Sequence, residues 1–149
     1  METKLMIVTH GTLGKSLLET SALIVGEQRN VETYGVDLGC DVEKLKSEIR
    51  QSLKESFDKG QSVIVLTDIF YGTPFNVVVS LMEDYDFMHI TGINLSIVLE
   101  ILLKRNEIKE QDIDELIEEA KKSMINCRKF LIEEYKGGAC DEKRFNNKN

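Results

Sequence analysis

Short apolar runs alternate along this chain with stretches in which apolar residues recur every three or four positions. The runs predict buried strands and the stretches predict amphipathic helices. The predicted strands are 4–9, 30–37, 62–67 and 87–91, and the predicted helices are 13–25, 42–57, 74–83, 96–105 and 112–134. Because strands and helices alternate throughout, we expect an α/β fold with an open parallel four-stranded sheet and helices on both faces.

Several helix ends carry their own signals. Asp41 can cap the second helix, and Thr73 can cap the third with Pro74 at its first position, where a missing N–H costs nothing. Inward-facing positions are predicted on the first and last helices. They are Leu13, Leu17, Leu18, Ile24 and Val25 on the first, and Ile113, Leu116, Ile117, Ala120, Met124 and Cys127 on the last.

Composition narrows the class of protein. The 149 residues are 42% hydrophobic, enough for one domain with a real core, which we predict over 1–136, with a flexible tail over 137–149. The net charge is −7 and no stretch concentrates basic residues, so nucleic acid is not an expected partner. Three cysteines without metal-like spacing indicate reduced thiols in a cytoplasmic protein. The most apolar segment, 95–103, is too short to span a bilayer.

Two chemically active residues fall at predicted strand ends. His10 follows the first strand and Asp68 follows the third. The carboxyl ends of parallel strands meet at one edge of a sheet, where ligands bind in open α/β folds. An imidazole beside a carboxylate has a fixed tautomer and can act as a nucleophile. The alternative interpretations are that His10 has only a structural role and that Asp68 only caps a turn.

Two helix starts at the same edge predict an anion site. Free N–H groups and the positive end of the helix dipole favour a phosphoryl group there. The candidate phosphate-binding residues are Gly11, Thr12, Gly72, Thr73 and Asn76. The other histidine, His89, lies inside a predicted strand and is interpreted as a packed residue. With no cysteine near His10, neither a metal site nor a bound cofactor is predicted.

These motifs resemble a known family. Met6-Ile7-Val8-Thr9-His10-Gly11, Leu66-Thr67-Asp68, Gly72-Thr73-Pro74-Phe75-Asn76 and Gly92-Ile93-Asn94-Leu95 together resemble the enzyme IIA domain of the mannose-type sugar phosphotransferase system. The resemblance covers about residues 4 to 131. It implies a phosphotransferase that relays a phosphoryl group through a phosphohistidine.

The resemblance also implies partners and roles. His10 takes a phosphoryl group from the carrier protein HPr and passes it to a IIB domain, which serves the membrane components IIC and IID. Asp68 orients His10, and the Thr73 region holds the phosphate. The family implies a homodimer that exchanges a fifth, antiparallel strand, but the residues after Tyr135 show no strand pattern. Because the chain stops after the IIA region, we expect a free-standing IIA subunit.

Three alternatives stay open. A response-regulator receiver domain would be phosphorylated on Asp68, but it needs acidic residues after the first strand where this chain has Thr9-His10. The IIA domain that feeds dihydroxyacetone kinase shares the strand-end histidine. A flavodoxin-like binding module is the third, although the chain has no tryptophan and no phosphate loop rich in Ser and Thr.

Overall fold

The computed structural model describes residues 2–136, in which strands and helices alternate as the sequence predicts. The elements are β1 (Lys4–His10), α1 (Leu13–Val25), β2 (Val31–Val36), α2 (Val42–Asp58), β3 (Val63–Thr67), α3 (Thr73–Val79), β4 (Met88–Thr91), α4 (Leu95–Lys104), a 3-10 turn (Glu110–Asp112), α5 (Ile113–Lys121) and α6 (Cys127–Lys136). The predicted flexible tail, 137–149, lies outside the described residues.

The four strands form one parallel sheet in the order β2-β1-β3-β4, so the predicted architecture is confirmed. Strand β1 is buried on both faces, because its alternate side chains enter two different cores. Leu5 and Ile7 pack in the core that contains α4 residues, and Met6 and Val8 pack in the core that contains α2 residues. A continuous apolar run is therefore the pattern that this central strand requires.

The strand order places a switch point between β1 and β3. Strand β2 pairs with one edge of β1, and β3 pairs with the other edge of β1. A crevice forms at the carboxyl ends of the strands where the order reverses in this way. His10 ends β1, and Asp68 directly follows β3, so both residues lie at this crevice.

A buried polar cluster ties β1, β2 and α2 together near the start of the two strands. Lys4 Nζ lies 2.6 Å from Glu32 Oε1 and 2.6 Å from Ser52 Oγ. The hydroxyls of Tyr34 and Ser52 donate to the other carboxylate oxygen of Glu32. Burial alone would raise the pKa of Glu32, but the hydrogen bonds that it accepts outweigh burial and lower this pKa. The cluster is therefore a satisfied ion pair, as a buried ammonium requires.

Three local expectations were wrong. The N-cap of α3 is Gly72, Thr73 is the first helical residue, and the helix ends at Val79 rather than near residue 83. On α1, Leu13 and Ile24 are exposed, while Leu17, Leu18 and Val25 pack against the core.

The predicted last helix, 112–134, is divided into α5 and α6. The Ser123 hydroxyl donates to the Ala120 carbonyl 2.7 Å away, a local bond that competes with helix continuation. The Asn126 side chain then caps α6 by accepting from the Lys129 amide. Consequently Met124 and Cys127, expected to face inward, are exposed. No helix within residues 2–136 is both long and apolar enough to cross a membrane.

Candidate functional site

His10 and Asp68 are in direct contact at the sheet edge. His10 Nδ1 lies 3.0 Å from Asp68 Oδ2, and the backbone N–H of His10 donates to the same oxygen at 2.9 Å. The other oxygen, Oδ1, accepts the backbone N–H of Ile69 at 2.9 Å. Three donors therefore hold this carboxylate, and two of them are backbone groups whose positions are set by the ends of β1 and β3.

This geometry assigns different roles to the two imidazole nitrogens. An ionised carboxylate only accepts hydrogen bonds, so Nδ1 carries the proton that points at Asp68. Nε2 is then left with a lone pair. The His10 side chain is 47% exposed while that of Asp68 is 11% exposed, so a reacting group can reach the histidine far more easily than the carboxylate.

An open cleft lies beside His10. Its lining residues come from the ends of β1 and β2, the start of α2 and the first residue of α3: His10, Gly11, Val36, Asp37, Leu38, Gly39, Cys40, Val42 and Thr73. The volume is about 530 Å³. No lysine or arginine is among the lining residues. An anion in the cleft would therefore be held by backbone and hydroxyl donors rather than by basic side chains.

The turn from β1 into α1 carries further backbone donors, of which only the Gly11 amide belongs to a residue that lines the cleft. The Gly14 amide is already bound to the Thr9 hydroxyl at 2.8 Å, and the Gly11 amide donates to the Val36 carbonyl at 3.0 Å. No hydrogen bond from the Thr12 or Leu13 amide is found within residues 2–133. Gly11 has a φ of +53°, a conformation in which glycine is favoured and which turns the chain from the strand into the helix.

Gly72 packs directly against the imidazole. A Cβ atom at this position would lie 2.8 Å from His10 Cε1 and 2.9 Å from Ile69 Cγ2, closer than real contacts allow. The requirement for glycine is steric, because Gly72 has an ordinary φ of −75°. The turn 69–72, closed by a hydrogen bond from the Gly72 amide to the Ile69 carbonyl, thus forms one wall of the histidine site.

A group of aromatic rings supports this turn. Phe70 contacts Phe75 at a ring-centroid distance of 4.9 Å, and Phe75 in turn lies 5.4 Å from His89. His89 Nε2 is 2.9 Å from the hydroxyl of Thr67, the residue that precedes Asp68. His89 is therefore a packed residue, as the sequence indicates, and it lies behind the Asp68 segment.

Burial lowers the pKa of His89 from 6.5 to about 4, so the ring is neutral in the folded protein at neutral pH. In the unfolded chain the same ring takes up a proton below pH 6.5. The unfolded state therefore binds more protons between pH 6.5 and about 4, and stability is lost as the pH falls through this window.

We expect His89→Gln to reduce this acid sensitivity, because glutamine can still bond Thr67 without titrating. At about 1.4 kcal/mol per pKa unit, the stability that wild type loses through His89 is up to about 3 kcal/mol. Urea unfolding at pH 7 and at pH 4.5 measures the difference between the two proteins. An equal pH dependence in both would contradict the expectation.

The structure separates the five candidate phosphate-binding residues. Gly11 and Thr73 line the cleft, and Gly72 touches the imidazole. Thr12 is exposed at the start of α1 and does not line the cleft. Asn76 does not line it either, and its amide donates to the Gly72 carbonyl within the helix.

Asp37 is a cleft residue that the sequence reasoning did not select. It directly follows β2, as Asp68 follows β3, so the rule that identified Asp68 also applies to it. Because the apolar pattern of β2 is weaker than that of the other strands, the end of this strand was harder to recognise in the sequence.

Fold and site together define a class: an open parallel α/β protein with an exposed histidine, held by an aspartate, at the switch point of its sheet. A family model described as "PTS system fructose IIA component" matches residues 4–121. The chain therefore belongs to the mannose-type IIA family of the sugar phosphotransferase system, as its motifs indicate, and is a component of such a system.

Individual relatives agree with this assignment. The chain is 33% identical over 109 residues to the fructose-specific EIIA component of Bacillus subtilis, covering 72% of this chain and 74% of that protein. It is 30% identical over 118 residues to the mannose-specific EIIAB component of Escherichia coli, covering 78% of this chain but 36% of that protein. This chain thus matches about a third of the longer relative.

A solved structure is also similar. It is the PTS IIA protein associated with the fucose utilization operon from Streptococcus pneumoniae, with a TM-score of 0.78 and 26% identity. The match covers 88% of this chain and 99% of that chain.

Proposed function

We propose that this protein is a phosphoryl carrier that accepts a phosphoryl group from phospho-HPr on His10 and donates it to a IIB domain. The observation that carries the proposal is the contact between His10 Nδ1 and Asp68, which leaves a lone pair on Nε2 of a side chain that is 47% exposed. Family membership supplies the class of donor and acceptor. The membrane components IIC and IID would be reached only through IIB.

In the first step, the Nε2 lone pair attacks the phosphorus atom of phosphohistidine on HPr. A P–N bond to Nε2 forms while the P–N bond to the donor imidazole breaks, and the bonding electron pair stays on that imidazole. His10 keeps its Nδ1 proton and gains positive charge on the ring. The adjacent Asp68 carboxylate stabilises this charge and holds the ring in place.

In the second step, the nucleophile of IIB attacks the same phosphorus atom and the P–Nε2 bond breaks. Its electron pair returns to Nε2, which regenerates the neutral His10 tautomer. Positioning and electrostatic stabilisation carry most of the catalysis in phosphoryl transfer. Gly11 and Thr73, which line the cleft beside His10, are proposed to lie next to the transferred group.

The chemistry of the phosphorylated protein tests this proposal. Incubation with phosphoenolpyruvate, enzyme I and HPr is expected to add one phosphoryl group per chain. A phosphohistidine is labile in acid and stable in alkali. Release of the label by hydroxylamine would instead identify an acyl phosphate on Asp68, and absence of any label would reject the proposal. Transfer from the labelled protein to a IIB domain tests the second step.

We also propose that the protein forms a homodimer, as the family resemblance implies. Apolar side chains on and just before α6 are exposed in the single chain: Met124, Ile125, Phe130, Leu131 and Ile132. Exposed apolar groups of this kind are typical of interfaces between subunits. Light scattering at micromolar concentration should give the mass of two chains, and a single-chain mass would contradict the prediction. An exchanged fifth strand stays a prediction.

A further inference from the structure

Asp37 lies on the opposite side of His10 from Asp68. In the β1–β2 register His10 pairs with Val36, so the next residue of the second strand lies beside Gly11. Asp37 Oδ1 is 3.9 Å from the position that a Cβ on Gly11 would occupy. The residue lines the same cleft as His10 and Thr73. The histidine is therefore flanked by two carboxylates, one from the end of β2 and one from the end of β3.

The two carboxylates have different surroundings. Asp68 accepts three hydrogen bonds, whereas the Asp37 side chain makes no hydrogen bond or ion pair with any residue in the range 2–133. The Asp37 backbone is nevertheless fixed, because its carbonyl accepts the Cys40 amide at 3.1 Å. No lysine or arginine lines the cleft to offset the carboxylate charge. A negative charge is thus held in the same cleft as the histidine.

We propose that Asp37 raises the phosphoryl-transfer potential of phosphorylated His10 by electrostatic repulsion. This inference rests on the proposed function, since it concerns the phosphoryl group on Nε2. A carboxylate in this position makes the phosphorylated state less favourable and leaves the unphosphorylated state unaffected. Departure of the phosphoryl group to the acceptor relieves the repulsion. Asp37 makes and breaks no bond, and it leaves the orientation of the imidazole to Asp68.

The size of the effect follows from Coulomb's law. A protein phosphoryl group carries about two negative charges at neutral pH. Since the phosphorylated ring gains one positive charge, phosphorylation adds about one net negative charge beside Asp37. Two unit charges in water interact by an amount close to a fivefold change in an equilibrium constant at about 4 Å, and about twofold at about 8 Å. We therefore expect removal of the Asp37 charge to change the equilibrium about two- to fivefold, and less at high salt, where exposed charges are screened.

The test is the equilibrium of phosphoryl exchange between HPr and this protein. In Asp37→Asn the constant should move about two- to fivefold toward the phosphorylated form of this protein. Its phosphohistidine should also hydrolyse more slowly. Asp37→Glu retains the charge and should remain close to wild type. Glu43→Gln removes one charge from the first turn of α2, outside the lining of the cleft, and should leave the constant unchanged.

The possible outcomes are distinct. An unchanged exchange constant in a protein that still becomes labelled would overturn the role of Asp37. An equal shift in Glu43→Gln would also overturn it, because net charge rather than position would then be the cause. No labelling of wild type would reject the proposed function itself. Asp37→Ser, which is small and uncharged, provides a second variant in case the asparagine protein folds poorly.

Discussion

Replacing His10 by alanine is expected to abolish phosphorylation by phospho-HPr. The variant lacks Nε2, the atom proposed to form the P–N bond, and no second imidazole lines the cleft. Loss of a nucleophile removes most of an enzyme's rate, so we expect a fall of at least about 10³-fold. The labelling rate measured by rapid quench checks this result.

The fold should survive this substitution, because the contact that anchors Asp68 includes the backbone N–H of residue 10, which alanine retains. The sequence also offers a matched control. The chain has two histidines, and His89→Gln removes the other one. His89→Gln should still become labelled. Label retained in a folded His10→Ala protein would place the phosphoryl group on another residue and contradict the assignment.

The substitution Asp68→Asn is expected to slow transfer both from HPr and to IIB. The carboxylate fixes the Nδ1 proton and stabilises the positive charge of the phosphorylated ring. Loss of such a partner costs on the order of 10²–10⁴-fold in rate, or about 3–5 kcal/mol in the barrier. Rapid-quench kinetics in both directions measures the loss. Wild-type rates in a folded variant would show that the carboxylate serves the fold alone.

Asp68→Asn should also reduce stability, because an amide cannot reproduce all three hydrogen bonds. One carboxylate oxygen faces the two donors of His10, and the other faces the Ile69 amide. Asparagine has a single acceptor oxygen, so its NH₂ group must face a donor on one side. An unpaired backbone N–H costs about 1–3 kcal/mol.

A control separates this stability loss from the loss in rate. Asp41→Asn changes another aspartate that accepts a backbone amide, that of Lys44, at the start of α2. It should lower stability without slowing transfer. If both variants slow transfer in proportion to their stability, the specific role of Asp68 is contradicted.

The sequence predicted those parts of the site that depend on strand ends. The apolar run before His10 and the run before Asp68 are both buried strands, and parallel pairing places their ends side by side. These apolar runs can be recognised in the sequence without any knowledge of tertiary contacts. The helix bounds of α1 were also predictable, because Gly26 follows its last residue.

Features that depend on tertiary contacts were not predictable. The steric role of Gly72 exists only because the turn 69–72 folds back onto the imidazole. The break between α5 and α6 depends on a serine hydroxyl and an asparagine cap within a sequence that keeps its helical period. Asp37 follows a strand whose residues are only half-buried, so the alternation of burial that identifies a strand is weak there.

The buried cluster of Lys4, Glu32 and Ser52 has a consequence for the far end of the sheet. Strands of one sheet are held by a ladder whose register applies along their whole length, and a slip at one end moves every pair at the other. A shift of β2 along β1 would carry the Glu32 carboxylate away from the Lys4 ammonium and leave a buried charge without its partner, which costs several kcal/mol. The ion pair therefore disfavours every shifted pairing of β2 with β1. In this way it determines which residue of β2 lies beside His10 at the other end of the strands.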